Sequence, residues 1–483
     1  AFIVEIDSKK VLAYVGNTDC PQENSGRDVD VITAPRSTGS IMKPFLYAAM
    51  LKDGLILPHS LVPDIPTKFG GYTPKNFAKE FDGAVHASEA LYRSLNVPAV
   101  IMLRDYGTPK LHSLLRKLKL STLTNSPEHY GLSLILGGAE ATLWDLGNAY
   151  LNMARSLKFY EANGFAYDEY DASGAHYILS DTLAAHAKRA GHILGAGAIW
   201  NTFEALRNVK RPYQEWGWED FESSAQVAWK TGTSWGHRDA WAIGMNSRYL
   251  VAVWVGNADG EGRPGLTGLN VAAPILFKAL KQLPRGKWFD PPYEDMVKIE
   301  TCSKSGYKAS SHCPSKAPVF APQEGTRTET CPFHKKIHLD QEERYQVTSA
   351  CYEVSEMKSR SWFVLPPVQE WYYKRKDPFY KTIPKFAPNC GGTSTKNMDV
   401  IYPKRNSRLF VPRNLDGTME KTIFEIAHRQ PENNVYWHLD ESFIGITHGT
   451  HKLESAPLPG KHVFTLVDET GESLEIRFEV LER

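Results

Sequence analysis

The sequence predicts a mixed α/β (α+β) protein, with an antiparallel sheet flanked by helices followed by an all-β, sandwich-like domain. Three observations lead there. Alternating apolar runs of strand length stand at the start and again late in residues 1–285, helical periodicity fills the interval, and short alternating runs return from about residue 383. At 483 residues the chain is too long for one ordinary domain. Composition divides it into 1–285, a Cys- and aromatic-containing bridging segment 286–382, and 383–483.

Taken in order, Phe2, Val4 and Ile6, then Val11, Ala13 and Val15, alternate around Asp7-Ser8-Lys9-Lys10 and read as a β-hairpin. Met42, Phe45, Leu46, Ala49 and Met50 recur at helical spacing behind Ser40, which predicts an amphipathic helix opening at that serine, with Ser40 and Lys43 on one face. Pro44 cannot donate to the Ser40 carbonyl, so the helix should be loosened there. The Pro- and Gly-rich passage 57–83 reads as a surface excursion. Helical patterns follow over 87–120, where Leu111, Leu114, Leu115 and Leu118 form a stripe, and over 132–153. At Ser224 the period changes: 225–229, 239–243 and 249–255 read as adjacent antiparallel strands, 271–283 as a closing helix, and the sheet is expected to join both ends of the region.

In the bridging segment Lys374, Arg375, Lys376 and Lys381 interleave with Tyr372, Tyr373, Phe379 and Tyr380. We read this as an ordered linker whose aromatics pack on a neighbouring domain, the competing reading being a membrane or nucleic-acid surface. Beyond it, Tyr436, Trp437 and His438 read as sandwich core and rim rather than a sugar platform.

A formal net charge of +1 gives no reason to expect a polyanionic partner, which sets nucleic acid aside. No apolar run is long enough to cross a membrane, and Ala1–Ile6 reads as a strand rather than an export signal, so the expectation is a fragment whose upstream part, with any anchor, is missing. Of six cysteines, Cys20 is early, while Cys302, Cys313, Cys331, Cys351 and Cys390 cluster late. Such clustering fits a disulfide framework in an oxidising compartment, with no pairing assignable. Zinc is the competitor, because Cys331, His334 and His338 have passable spacing; no second paired half lies close in sequence, so no metal is expected.

Three motifs carry chemistry. Ser40-Ile41-Met42-Lys43 is one of three Ser-x-x-Lys matches, but Ser305 with Lys308 and Ser355 with Lys358 open no comparable apolar helix. Ser94-Leu95-Asn96 is the only Ser-x-Asn in the chain. Lys230-Thr231-Gly232-Thr233 ends a strong strand, where glycine would let a substrate backbone approach the edge, whereas the second match, Lys304-Ser305-Gly306, has no preceding strand. A serine hydroxyl needs a base within reach, and Lys43 is the nearest candidate. To serve it must be neutral, which requires burial and a nearby cation; Lys230 is the source we expect. Each has a bland counterpart: Lys230 as a strand-end lysine, Ser94 and Asn96 as cap or turn residues, and His237, Arg238 and Asp239 as turn residues shaping the site edge.

In this order and setting the motifs resemble the penicillin-recognising acyl-serine transferases. The longer strings 37–44, 94–100 and 230–234 are similar to class A penicillin-binding proteins. Thr301-Cys302 to Cys313-Pro314, Cys331-Pro332-Phe333-His334, Tyr436–Asp440 and Pro459–His462 are similar to the tail of one branch of that family. The resemblance covers nearly the whole chain but not the family's membrane helix or glycosyltransferase domain. It implies the penicillin-recognising serine transpeptidase fold and a peptidoglycan D,D-transpeptidase acting through a Ser40 acyl-enzyme, with no cofactor. Ser94 would relay a proton to the leaving amine, and Asn96 would hold Lys43 and the substrate amide. Thr231 and Thr233 would bind the donor carboxylate with Lys230, and the backbone N–H groups of Ser40 and Thr233 would form the oxyanion hole. Stem peptides and β-lactams are the implied ligands, cell-wall synthesis proteins possible partners of the C-terminal domain, and the location periplasmic, the parent protein being anchored in the inner membrane through its missing N-terminal part. The alternatives are a D,D-carboxypeptidase and a non-catalytic scaffolding module. No Glu-x-x-x-Asn element of the β-lactamase kind stands close after Asn96 in the sequence, so hydrolytic turnover is not expected.

Overall fold

The computed structural model describes all residues except 19–27, 68, 70–71, 168–173, 178–191, 214–225, 389, 391–396, 412–418 and 482–483. Cys20, and the first residue of the strand expected over 225–229, fall among these. The chain divides into two compact units, one built from residues 1–62 and 85–331 and the other from 63–84 and 332–483. Segment 286–382 is shared between them.

The first unit begins with β1 (Phe2–Glu5), β2 (Val11–Tyr14), β3 (Arg36–Ser37) and α1 (Lys43–Lys52). The chain leaves it along β4 (Leu61–Asp64) and returns along β5 (Gly83–His86) into α2 (Ala87–Tyr92), α3 (Asn96–Tyr106), α4 (Thr108–Lys117), the short α5 (Pro127–Tyr130), β6 (Glu140–Ala141), α6 (Leu143–Ala162) and α7 (Ala196–Arg207). Then come β7 (Ala228–Thr233), β8 (Asp239–Met245), β9 (Tyr249–Gly256), α8 (Ala273–Gln282), β10 (Met296–Cys302) and β11 (Lys316–Pro322).

The main sheet has the order β2-β1-β9-β8-β7, so the N-terminal hairpin completes a sheet whose other strands begin only at Ala228. Register is fixed by Phe2 opposite Ala252, Trp241 opposite Trp254 and Lys230 opposite Ile243, all antiparallel. All seven residues of β8 are buried, so its apolar run does not alternate: both faces of the sheet are covered. Helices α6, α7 and α8 supply the cover. The π-helical turn Gly268–Ala272 leads into α8 and packs beside β7 and β8.

Three expectations are corrected. Helix α1 is not amphipathic: Lys43 through Leu51 are all buried, because Tyr47, Ala48 and Leu51 make the helix apolar on every side. Nor does it open at Ser40. It opens at Lys43, and the Ser40 carbonyl instead accepts from Lys43 N at 3.3 Å, since Pro44 has no donor for it. The passage 57–83 is also not simply superficial, as Leu57, Ser60, Leu61 and Asp64 are buried.

The second unit contains the β12 (His334–Leu339) and β13 (Lys358–Phe363) pair, α9 (Pro367–Lys376) and a disulfide between Cys351 and Cys390. Its strands β14 (Met398–Tyr402), β15 (Ser407–Leu409), β16 (Thr422–His428), β17 (Val435–Leu439), β18 (Ser442–Thr447), β19 (Lys452–Ser455), β20 (Gly460–Asp468) and β21 (Ser473–Val480) make two sheets, β14-β16-β19 and β15-β21-β20-β17-β18. Between them lies a core that includes Phe424, Trp437, Phe464, Leu466 and Ile476. The Phe424 and Phe464 rings meet at 4.5 Å, and Trp437 Nε1 donates to Thr447 Oγ1 at 2.8 Å. Tyr436, Trp437 and His438 are all buried, as core packing requires. The aromatics of α9 are ordered: Tyr372 is buried with its hydroxyl on His438 Nε2, and burial pushes the His438 imidazole down to about 4. No helix among the described residues is long and apolar enough to cross a membrane.

Truncating Trp437 to Ala should cost about 3–5 kcal/mol of stability. A urea titration should show an earlier midpoint for the second unit, and an unchanged midpoint would contradict the core described here.

Candidate active site

The site forms where the lead-in to α1, the turn between α2 and α3, and the edge strand β7 converge. Ser40 lies in the turn Gly39–Met42, half-buried, with Thr38, Ile41 and Met42 fully buried around it. The three-residue bond from Lys43 N to Ser40 O sets positions 40 and 43 on one side, as in a 3₁₀ turn. Three further bonds hold this turn from behind. Thr38 Oγ1 donates to Ala139 O at 3.1 Å, Tyr150 OH to Ile41 O at 2.7 Å, and Trp241 Nε1 to Ser37 O at 2.8 Å.

Two glycines let β7 press against it. Gly39 has φ +52°, and a Cβ there would stand 2.5 Å from Thr233 O. At Gly232 a Cβ would stand 2.7 Å from Thr38 O and 3.3 Å from Ile41 Cβ. The glycine of Lys230-Thr231-Gly232 therefore admits the Ser40 turn, rather than the substrate backbone expected from the motif.

Ser94 connects the two lysines. The end of α2 is a Schellman cap: Ser94 N bonds Leu91 O at 3.0 Å and Leu95 N bonds Ala90 O at 2.9 Å. Ser94 takes the left-handed position, φ +59°, that glycine normally fills. That geometry turns its carbonyl to Lys43 Nζ at 2.8 Å and its hydroxyl to Lys230 Nζ at 2.8 Å. Lys43 Nζ also donates to Leu95 O at 3.0 Å and to Asn96 Oδ1 at 2.8 Å, and Lys230 Nζ to Thr231 O at 2.7 Å.

Both ammonium groups are withdrawn from water. Lys43 is 3 % and Lys230 0 % exposed, and no carboxylate is among their hydrogen-bond partners given above. Burial, then the charge of Lys230, holds Lys43 well below the usual lysine range. Burial alone brings Lys230 down to about 7. Carbonyl acceptors favour the charged forms, and here desolvation outweighs them. Burial lowers both lysines, and at Lys43 the charge of Lys230 adds to it.

The free edge of β7 supplies donors. Ser234 N bonds Asp239 O at 3.0 Å on the β8 side, so by antiparallel alternation the N–H and C=O groups of Thr233 and Thr231 face outward. Thr233 Oγ1 accepts from Gly268 N at 3.0 Å and keeps its own proton to donate. His237 and Asp239 sit in the β7–β8 turn: His237 has φ +54°, and Asp239 bonds Ser234 and Trp254 Nε1. Trp235, 96 % exposed at the end of β7, had not been singled out from sequence, nor had Thr38, Tyr150 or Trp241. An aromatic immediately after Lys-Thr-Gly-Thr-Ser was the available signal for Trp235. The others are legible only once β6, α6 and β8 are in place. Ser305, a decoy in sequence, is buried in the turn between β10 and β11.

Residues 1–157 match the penicillin binding protein transpeptidase domain, and residues 387–478 the Penicillin-Binding Protein C-terminus Family. The chain is 36% identical over 274 residues to penicillin-binding protein 1C of Escherichia coli, covering 57% of this chain and 33% of that protein. It is 29% identical over 250 residues to penicillin-binding protein 1F of Bacillus subtilis, covering 51% of this chain and 33% of that protein. The chain thus spans about a third of the length of the curated relatives it matches. The crystal structure of penicillin-binding protein 1A from Haemophilus influenzae superposes with TM-score 0.50, at 21% identity, over 68% of this chain and 54% of that one. That likeness concerns the fold.

Two substitutions test the geometry. Gly39→Ala should destabilise the first unit by about 2 kcal/mol, because the side chain meets Thr233 at a left-handed position. Ser94→Gly relieves the left-handed strain of the cap but takes from Lys230 its hydroxyl acceptor, so it should destabilise less than the loss of that bond alone, by under about 1 kcal/mol. Thermal unfolding reads both, and a loss of more than about 2 kcal/mol in Ser94→Gly would contradict the strain relief.

Proposed function

We propose that this chain, whose two matched stretches are both penicillin-binding protein domains, is a peptidoglycan D,D-transpeptidase that works through a serine acyl-enzyme. The observation that carries this reading is the pair of buried lysines joined through Ser94. A scaffold has no need of two desolvated cations beside a serine, whereas acyl transfer needs a neutral amine and a fixed cation within one site.

In this reading Lys43 Nζ takes the Ser40 hydroxyl proton as Oγ attacks the carbonyl carbon of the penultimate D-Ala. Lys43 has three acceptors around it, matching the three N–H of an ammonium, so the neutral amine must turn its lone pair from one of them toward Ser40; the 3.0 Å bond to Leu95 O is the longest. The tetrahedral oxygen takes hydrogen bonds from Ser40 N and Thr233 N, an arrangement worth on the order of 3 kcal/mol per donor. The amide C–N bond breaks and D-Ala leaves with a proton delivered through the Ser94 hydroxyl, which Lys230 holds in place. An amine of a second stem peptide then attacks the Ser40 ester, its proton returns by the same route to Ser40 Oγ, and the cross-link is released. Lys230, Thr231 and Thr233 hold the donor carboxylate, and Asn96 holds Lys43 and the substrate amide. β-Lactams, which mimic the donor, acylate the same oxygen. The site of action is outside the cytoplasm, where wall peptides are found, and the C-terminal sandwich is the surface available to wall-synthesis partners.

Incubation with a β-lactam should add the intact drug mass to the peptide containing Ser40, and Ser40→Ala should remove that adduct while unfolding as before. Absence of any adduct on the wild-type chain would favour the scaffold. With a stem-peptide thioester donor and an amine acceptor, amide product should dominate; hydrolysis alone would make the enzyme a carboxypeptidase.

Acylation should also have a narrow pH window. It requires Lys43 without and Lys230 with its proton, so the second-order rate should rise as pH passes the depressed Lys43 value and fall above about 7 as Lys230 discharges. Lys230→Arg, which keeps its charge, should lower the rate yet abolish the alkaline fall.

A further inference from the structure

We propose that Cys302, Cys313 and Cys331, completed by His334, bind one structural zinc ion. The sequence reading favoured disulfides here because only Cys331 and His334 stand close together in the chain. The fold supplies the missing half. Cys302 ends β10, Cys313 lies in the turn before β11, and Cys331 follows soon after β11; their three Sγ atoms all lie within 4.8 Å of one another, and all three residues are buried. His334, three residues beyond Cys331, is a buried imidazole, which gives a Cys₃His set.

The sulfurs are arranged as acceptors. Ser305 Oγ donates to Cys331 Sγ at 3.2 Å, and Ser310 N approaches Cys313 Sγ at 3.3 Å with its hydroxyl at 3.2 Å. Donors aimed at sulfur orient and stabilise thiolates, as outer partners do around zinc. Buried thiolates need a positive charge among them, which zinc provides. A disulfide between any two of the three would leave the third sulfur over and would not use these donors together. By contrast Cys351 and Cys390 form an ordinary two-sulfur bridge elsewhere in the chain.

The place of the cluster gives it a task. Between Cys302 and Cys313 the chain turns tightly, with Gly306 N on Cys302 O at 2.8 Å. Gly306 has φ +67° and lies so close to the His59 carbonyl that a Cβ would stand 1.7 Å from its oxygen. Leu61 N bonds Ser305 O at 2.8 Å, and Tyr307 OH bonds Leu61 O at 3.1 Å. The same loop holds the start of α2, through Ala87 N to Ser60 O at 2.8 Å and Ser88 N to Pro58 O at 3.1 Å. Helix α2 ends at Ser94. An ion that fixes 302–331 therefore fixes the floor beneath the helix that carries Ser94.

The test is metal analysis of the whole chain, purified without reductant or chelator. We expect one zinc per chain by elemental and native mass spectrometry, and an X-ray absorption shell of three sulfurs at about 2.3 Å and one nitrogen at about 2.0 Å. Cys313→Ser and His334→Ala should each weaken zinc binding by about 100-fold or more while Ser40 still takes the β-lactam adduct. The wild-type measurement needs no variant to fold. A chain that takes up no zinc after reduction and addition of Zn²⁺, a shell without sulfur, or a peptide map with two of these three cysteines joined would each overturn the proposal.

Discussion

Two buried ammonium groups share one serine, Ser94, and the rest of the first unit is arranged around the difficulty of keeping them there. Lys43 and Lys230 are both removed from water and both reach Ser94, one through its carbonyl and the other through its hydroxyl. Proximity of two cations in a dry site is unfavourable in itself. Its consequence is that both depart from the ordinary lysine range: Lys43 is held well below it by burial and by the charge of Lys230, and Lys230 is brought down by burial to about 7. In the proposed reading, that places a base and a cation within one site. Ser94 holds both by accepting a left-handed backbone that glycine would adopt more easily, so stability is surrendered locally for a hydroxyl.

Rigidity elsewhere makes that arrangement durable. β8 is buried along its whole length and β1 closes the sheet from the far end of the sequence, so β7 cannot shift without unpacking the centre. Gly39 and Gly232 bring the Ser40 turn against β7 with no side chain between. Tyr150, Trp241 and Thr38 secure the same turn from α6, β8 and the residues before β6. Placing reactive groups on a helix lead-in and a sheet edge, each held by buried hydrogen bonds, is how positions are kept to within tenths of an ångström.

Much of this was legible in the sequence because it is local or periodic. The three β runs after residue 224, the Leu111 stripe and the three motifs each announce themselves in a few residues, and the joining of the N-terminal hairpin to β9 followed from needing a partner for both. What was not legible depends on contacts far apart in the chain. The all-round burial of α1 was hidden because Tyr47 and Ala48 read as tolerant of solvent, and the helix start moved three residues because Pro44 acts on a carbonyl rather than on a pattern. Gly232 was read for a substrate because nothing in sequence brings Thr38 and Ile41 beside it. The thiol cluster was missed for the same reason: its halves are adjacent only after β10 and β11 pair.

The central claim is that burial and the charge of Lys230 hold Lys43 well below the usual lysine range. Nitrogen-15 NMR of the chain labelled in lysine side chains, with Lys43→Ala to assign the resonance, follows its proton directly as pH is varied. The account predicts that Lys43 loses its proton far below the ordinary lysine value of about 10.4, and that Lys230→Ala moves the transition upward. A Lys43 signal that titrates near the ordinary value, or that ignores Lys230, would contradict it.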